Sequence, residues 1–130
     1  MRGKILVADD DPGIVDALQL VLEEADYEVQ TTTDGSTVKK ADQLLPDVIL
    51  LDIWMSGEDG RDICRLLKSQ KVTQNIPVIM ISATSDLAQS AKAAGADDFL
   101  PKPFQMDHLL AKVEKYLKKS PKTSQDIAAR

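Results

Sequence analysis

A chain of 130 residues is one domain's worth of polypeptide, and 43% hydrophobic with 28% charged residues suits a folded core rather than a disordered chain. A net charge of -5 argues against a general grip on nucleic-acid phosphates, and the single cysteine, Cys64, excludes an internal disulfide. The first apolar run, Ile5-Leu6-Val7-Ala8, is far too short for a signal peptide or a membrane span.

That run reads as a strand buried on both faces. Asp11-Pro12 then opens a helix, because Asp is a good N-cap and Pro suits the first helical position. Ile14, Leu18, Val21, Leu22 and Ala25 give that helix one apolar face. Residues 27–32 read as a second, more polar strand. Asp34-Gly35 marks a turn, and residues 36–45 a weak helix that ends at Pro46. Val48-Ile49-Leu50-Leu51, closed by Asp52, is the clearest strand. A loop of small and polar residues follows at 56–60, then a helix with Ile63, Leu66 and Leu67 on its inner side.

Pro77-Val78-Ile79-Met80-Ile81 is a fourth buried strand. Ser85-Asp86 should cap an alanine-rich helix, with Gly95 as its stop. Asp98-Phe99-Leu100 is a short fifth strand, and residues 106–118 form a last amphipathic helix with Leu109, Leu110, Val113 and Leu117 inward. Five strand–helix units in succession imply an α/β fold, a parallel sheet with helices on both faces. The domain is expected over residues 1–119, with 120–130 as a polar tail or the start of a linker. Residues 118–130 are basic in balance, so the folded part is more acidic than the whole.

Ligands of open parallel sheets bind beyond the carboxyl ends of the strands. Those ends here carry Asp9-Asp10-Asp11, Asp52, Ser82-Ala83-Thr84 and Lys102-Pro103. Turn and cap chemistry accounts for Asp11. For Asp9, Asp10 and Asp52 together it is a weaker account, since gathered carboxylates resist joint ionisation unless a cation is present. Mg2+ suits such a set, because it takes one or two carboxylates and leaves room for phosphate oxygens. A lysine and a hydroxyl on the same rim could spread the charge of a transferred phosphoryl group. The residues therefore point to Mg2+-assisted phosphoryl transfer onto a carboxylate.

In order along the chain, Ile5-Leu6-Val7-Ala8-Asp9-Asp10, Val48 to Asp52 with Ile53-Trp54-Met55, Gly60, Pro77 to Ala83 and Gly95 to Phe104 resemble the CheY-like receiver domain of two-component response regulators. The resemblance implies a flavodoxin-like (βα)5 three-layer sandwich with strand order 2-1-3-4-5. It implies Asp52 as phosphoryl acceptor, and Asp10, Asp52 and the Trp54 carbonyl as Mg2+ ligands, with Asp9 acting through a bound water. Lys102 would pair with Asp52 and then with the phosphoryl group. Ser82 and the Ala83 N–H would donate to it, and Phe99 would be an aromatic switch following Ser82. Lys102-Pro103 would be a cis peptide that directs the lysine.

The same resemblance implies a regulatory phospho-acceptor that catalyses only its own phosphorylation and dephosphorylation. Its partners would be a sensor histidine kinase or phosphotransfer protein and an unknown downstream protein. The domain would be cytoplasmic, monomeric or dimeric on phosphorylation, without membrane or nucleic-acid contact of its own. No output domain is expected within this length.

Plainer readings stand beside these. Lys102 could be a solvated lysine, Ser82 a strand end and Phe99 ordinary core. His108 reads as a surface residue and Cys64 as packing. Trp54 reads either as a loop aromatic or as a shield over the phosphoryl group, and Ser56 stands where the family usually has proline. The segment from Ser82 to Phe99 is slightly short for the family, which bears on the output face rather than on the chemistry. Two other functions fit the pattern less well. An aspartate-nucleophile phosphatase would use Asp9-Xaa-Asp11, but Gly13 departs from that pattern. A non-phosphorylated interaction module would not need the intact set of Asp9, Asp10, Asp52, Ser82 and Lys102.

Overall fold

The computed structural model describes residues 2–118, so the expected tail at 120–130 lies outside the described residues. The elements run β1 (Lys4–Ala8), α1 (Pro12–Glu24), β2 (Glu28–Thr32), α2 (Gly35–Val38), α3 (Ala41–Leu44), β3 (Val48–Asp52), β4 (Trp54–Met55), β5 (Glu58–Asp59), α4 (Gly60–Ser69), β6 (Val78–Ser82), α5 (Leu87–Ala94), β7 (Asp98–Pro101) and α6 (Met106–Lys118). Five of the strands make one parallel sheet in the order β2-β1-β3-β6-β7. In sheet-strand numbering that is the expected 2-1-3-4-5.

Alternate residues of each central strand serve opposite faces, as the pleat requires. Leu6, Ile49, Leu51 and Met80 pack on one face with Ile63, Leu67 and Ala91. Ile5, Val7, Leu50, Ile79 and Ile81 pack on the other with Leu18, Leu22, Leu109 and Val113. The sheet is therefore covered on both sides, which is why its central strands are continuous apolar runs.

Asp11 caps α1 by accepting a hydrogen bond from the Gly13 N–H at 2.9 Å, and Gly95 ends α5 in the left-handed conformation at φ 84°. Asp86 precedes α5 but makes no side-chain cap. Its backbone, at φ -98° and ψ 23°, lacks the extended conformation that Asp11, Asp34 and Asp59 use to cap.

Besides that missing cap, four expectations need correction. The helix expected over 36–45 is two four-residue helices, α2 and α3, separated at Lys39 and Lys40. The β-branched Thr37 and Val38 weaken the first, and Leu45, held at φ 46° before Pro46, ends the second. The second strand begins at Glu28, and Tyr27 is buried just ahead of it. Leu66 lies on the outer flank of α4, where Ile63, Cys64 and Leu67 share the buried stripe. Part of the loop expected at 56–60 is strand: β5 pairs back antiparallel onto β4, the hairpin turning at Ser56-Gly57 with Gly57 at φ 73°.

Candidate functional site

Parallel register carries four strand ends to one rim. β1 delivers Asp9 and Asp10, β3 ends in Asp52, β6 ends in Ser82, and Lys102 follows β7. The Lys102 N–H donates to the Ser82 carbonyl at 2.9 Å, and the Lys102-Pro103 peptide is cis, as expected. Gly60 closes the site from below. A Cβ there would lie 2.1 Å from the Asp52 carbonyl oxygen, so α4 can start this close to β3 only with glycine.

The strand ends enclose a cleft of about 500 Å3 lined by Asp9, Asp10, Asp11, Asp52, Trp54, Ser82, Ala83, Thr84 and Lys102. One carboxylate oxygen from each of Asp9, Asp10 and Asp52 lies within 4.8 Å of the others. Asp9 and Asp52 are buried, and Asp10 is exposed at the mouth. The donors are oxygens only, which suits a hard divalent cation rather than a soft one.

Asp9 accepts from the Asp11 N–H at 3.0 Å and from Lys102 Nζ at 2.7 Å. Asp52 Oδ2 is 3.7 Å from the same nitrogen. The expected Lys102–Asp52 pairing is therefore a shared one, with Asp9 nearer. Burial pushes the Asp52 carboxyl up to about 7; the charge of Asp9 adds to this, and Lys102 and the Trp54 N–H oppose it.

The Ser82 hydroxyl faces the cleft but is occupied locally. It lies 2.8 Å from Thr84 Oγ1 and accepts from the Thr84 N–H at 3.1 Å. Phe99, opposite Met80 on β7, is half-buried against the cluster that includes Leu87 and Ala91. Lys112 Nζ stands 6.0 Å from its ring centre.

Trp54 is half-exposed at the cleft, and Arg61 lies over its ring. Asp59 holds that guanidinium in a fork, which also keeps the Asp59 carboxyl below the usual carboxylate range. His108 is exposed on α6, away from the rim. Cys64 is fully buried, and burial pushes its thiol up to about 11, as a packing residue requires.

The structure brings Asp9, Asp10, Asp52, Trp54, Ser82, Ala83 and Lys102 to one cleft, and leaves Pro103 and Phe99 outside its lining. Thr84, expected at the same strand end but without a role there, is the residue that holds the Ser82 hydroxyl. Arg61 also bears on the site through Trp54, and nothing in the helical pattern distinguishes it from an exposed cation.

The response regulator receiver domain family matches residues 5–114. The chain is 38% identical over 125 residues to the DNA-binding dual master transcriptional regulator RpaA of Synechocystis, covering 94% of this chain and 52% of that protein. It is 37% identical over 123 residues to the alkaline phosphatase synthesis transcriptional regulatory protein PhoP of Bacillus subtilis, covering 92% and 50%. The chain thus spans about half the length of these curated relatives.

Among solved structures, the receiver domain of sensor histidine kinase PA1611 from Pseudomonas aeruginosa superposes with TM-score 0.81 at 25% identity, covering 88% of this chain and 97% of that one. That structure has a magnesium ion coordinated in its active site cleft. The chemotaxis protein CheY4 of Vibrio cholerae gives TM-score 0.79 at 30% identity, covering 87% and 97%.

Proposed function

Because the chain belongs to the response regulator receiver domain family, and so is a regulatory phospho-acceptor module of two-component signalling, we propose that Asp52 is the residue that accepts the phosphoryl group. The observation that carries this reading is the meeting of Asp52 with Asp9, Asp10 and Lys102 in one cleft at the strand ends. The donor is a phosphohistidine of a sensor kinase or phosphotransfer protein. The bond from Asp52 Oδ to phosphorus forms as the donor's N–P bond breaks, and the released imidazole takes a proton from solvent.

Asp10, Asp52 and the Trp54 carbonyl, with Asp9 through a water, would hold Mg2+. When bound, the ion neutralises the gathered carboxylates and the phosphoryl oxygens. Asp52 must be ionised to attack, so its raised value makes acceptance sensitive to pH near neutrality. Lys102 turns from Asp9 toward the transferred group. The Ser82 hydroxyl leaves Thr84 to donate to a phosphoryl oxygen, beside the Ala83 N–H. Phe99 then moves into the vacated space, which biases the surface read by a downstream protein.

The chain's chemistry is limited to its own phosphorylation and dephosphorylation, within a receiver spanning residues 1–119 and working in the cytoplasm. No described helix is long and apolar enough to cross a membrane. RpaA is named as a DNA-binding regulator, and PhoP as a transcriptional regulatory protein. We assign no DNA contact to the receiver portion, whose acid excess opposes phosphate binding. Asp9 is a poor alternative nucleophile, since its two oxygens are engaged by Asp11 and Lys102.

Trp54, the only tryptophan, reports on the cleft directly. Its fluorescence should change on adding Mg2+ and again on adding beryllofluoride. A folded protein that responds to neither refutes the assignment.

A further inference from the structure

Of the side chains lining the cleft, Trp54 is the only aromatic one, and at 54% exposed it would be free to swing away from the mouth. A chain of three contacts restrains it. β4 pairs with β5 so that Trp54 stands opposite Asp59. Asp59 takes the Arg61 guanidinium in a fork, with Nε 3.0 Å from Oδ1 and Nη2 2.7 Å from Oδ2. The Arg61 Cζ then lies 5.1 Å from the centre of the Trp54 ring. A planar guanidinium held by two hydrogen bonds is pre-organised for stacking, whereas a lysine in its place would be a mobile point charge.

We propose that Arg61, aimed by Asp59, is a positioning residue that holds the Trp54 indole over the mouth of the cleft and so slows hydrolysis of phosphorylated Asp52. The inference rests on Asp52 being the acceptor. In the hydrolysis it slows, a water oxygen bonds to phosphorus as the bond to Asp52 Oδ breaks. The water's proton passes to solvent, and inorganic phosphate leaves a free carboxylate. The indole occupies part of the approach this water would take, and loss of the guanidinium lets the ring leave it more often.

The test phosphorylates the full chain with a small acyl phosphate in Mg2+, removes the donor and follows decay of the aspartyl phosphate. Arg61→Gln should shorten the lifetime about two- to fivefold, the range one exposed cation–π contact supports. Arg61→Lys should restore it only in part. Asp59→Asn keeps an oxygen to cap α4 and should act like Arg61→Gln, so a folding defect is separated from a positioning one. Acrylamide quenching of Trp54 should rise in both. In a Trp54→Ala background, Arg61→Gln should add nothing, since the two act through one ring.

Unchanged decay in Arg61→Gln, or additive effects in the double variant, overturns the inference and leaves the acceptor assignment standing. Failure of the unaltered chain to take up phosphate at Asp52 overturns both.

Discussion

Lys102 Nζ sits 2.7 Å from Asp9 Oδ2, a full ångström closer than it sits to Asp52 Oδ2. One cation is thus shared unequally by two buried carboxylates, and burial pushes up the carboxyl of Asp52, the less well served. Lys102→Met should therefore cost the metal-free protein about 3 kcal/mol near pH 8, the scale for stranding a buried charge. Urea unfolding measures this, and Mg2+ should recover much of the loss. An unchanged midpoint would mean that the lysine is not the site's counter-ion.

Stability should depend on pH through Asp52. Its folded value, about 7, lies above the ordinary 3.8, so the folded state holds the proton more tightly. Its contribution is complete below about pH 4 and is lost as pH rises through about 7. Asp52→Asn should remove this decline, and its melting temperature should exceed that of the unaltered protein more at pH 8 than at pH 5.

The same proton competes with the metal. Mg2+ affinity should rise with pH and be about tenfold weaker at pH 6 than at pH 8, with close to one proton released at the lower pH. Titration calorimetry in two buffers of different ionisation enthalpy measures both quantities. A pH-independent affinity would place Asp52 outside the ligand set.

Asp11 separates capping from chemistry. Asp11→Ala removes the bond to the Gly13 N–H and should cost about 1 kcal/mol by urea unfolding. Asp11 lines the cleft beside Asp9, so losing its charge should weaken Mg2+ binding, but by less than Asp10→Asn does.

Gly60→Ala tests how tightly α4 abuts β3. The added methyl would meet the backbone of Asp52 and Ile53, which cannot swing aside. A loss of about 1–3 kcal/mol is expected, together with slower phosphorylation, because the end of β3 must shift.

Much of this was legible in the chain because burial on both faces writes strands as unbroken apolar runs. Ile5 to Ala8, Val48 to Leu51 and Val78 to Ile81 mark their own ends, and the chemistry sits in the next residue or two. What was not legible depended on side-chain reach or on very short elements. The β4–β5 hairpin has strands of two residues each, too few for any periodicity, and Ser56-Gly57 reads as loop. Lys102 turning first to Asp9 is settled by distances within the cleft, which sequence order does not encode. The Arg61–Trp54 contact joins two residues that periodicity assigns separately to a helix and a loop. Leu66 looked inward because it sits next to Leu67, yet the buried stripe of α4 runs through Cys64 on the other side.

The central claim is that Asp52 carries the phosphoryl group. Intact-mass measurement after treatment with an acyl phosphate and Mg2+, followed by borohydride trapping and peptide mapping, tests it most directly. The account predicts one phosphoryl group at Asp52, absent without Mg2+ and absent in Asp52→Asn. Modification at Asp9, or uptake that survives Asp52→Asn, would contradict it.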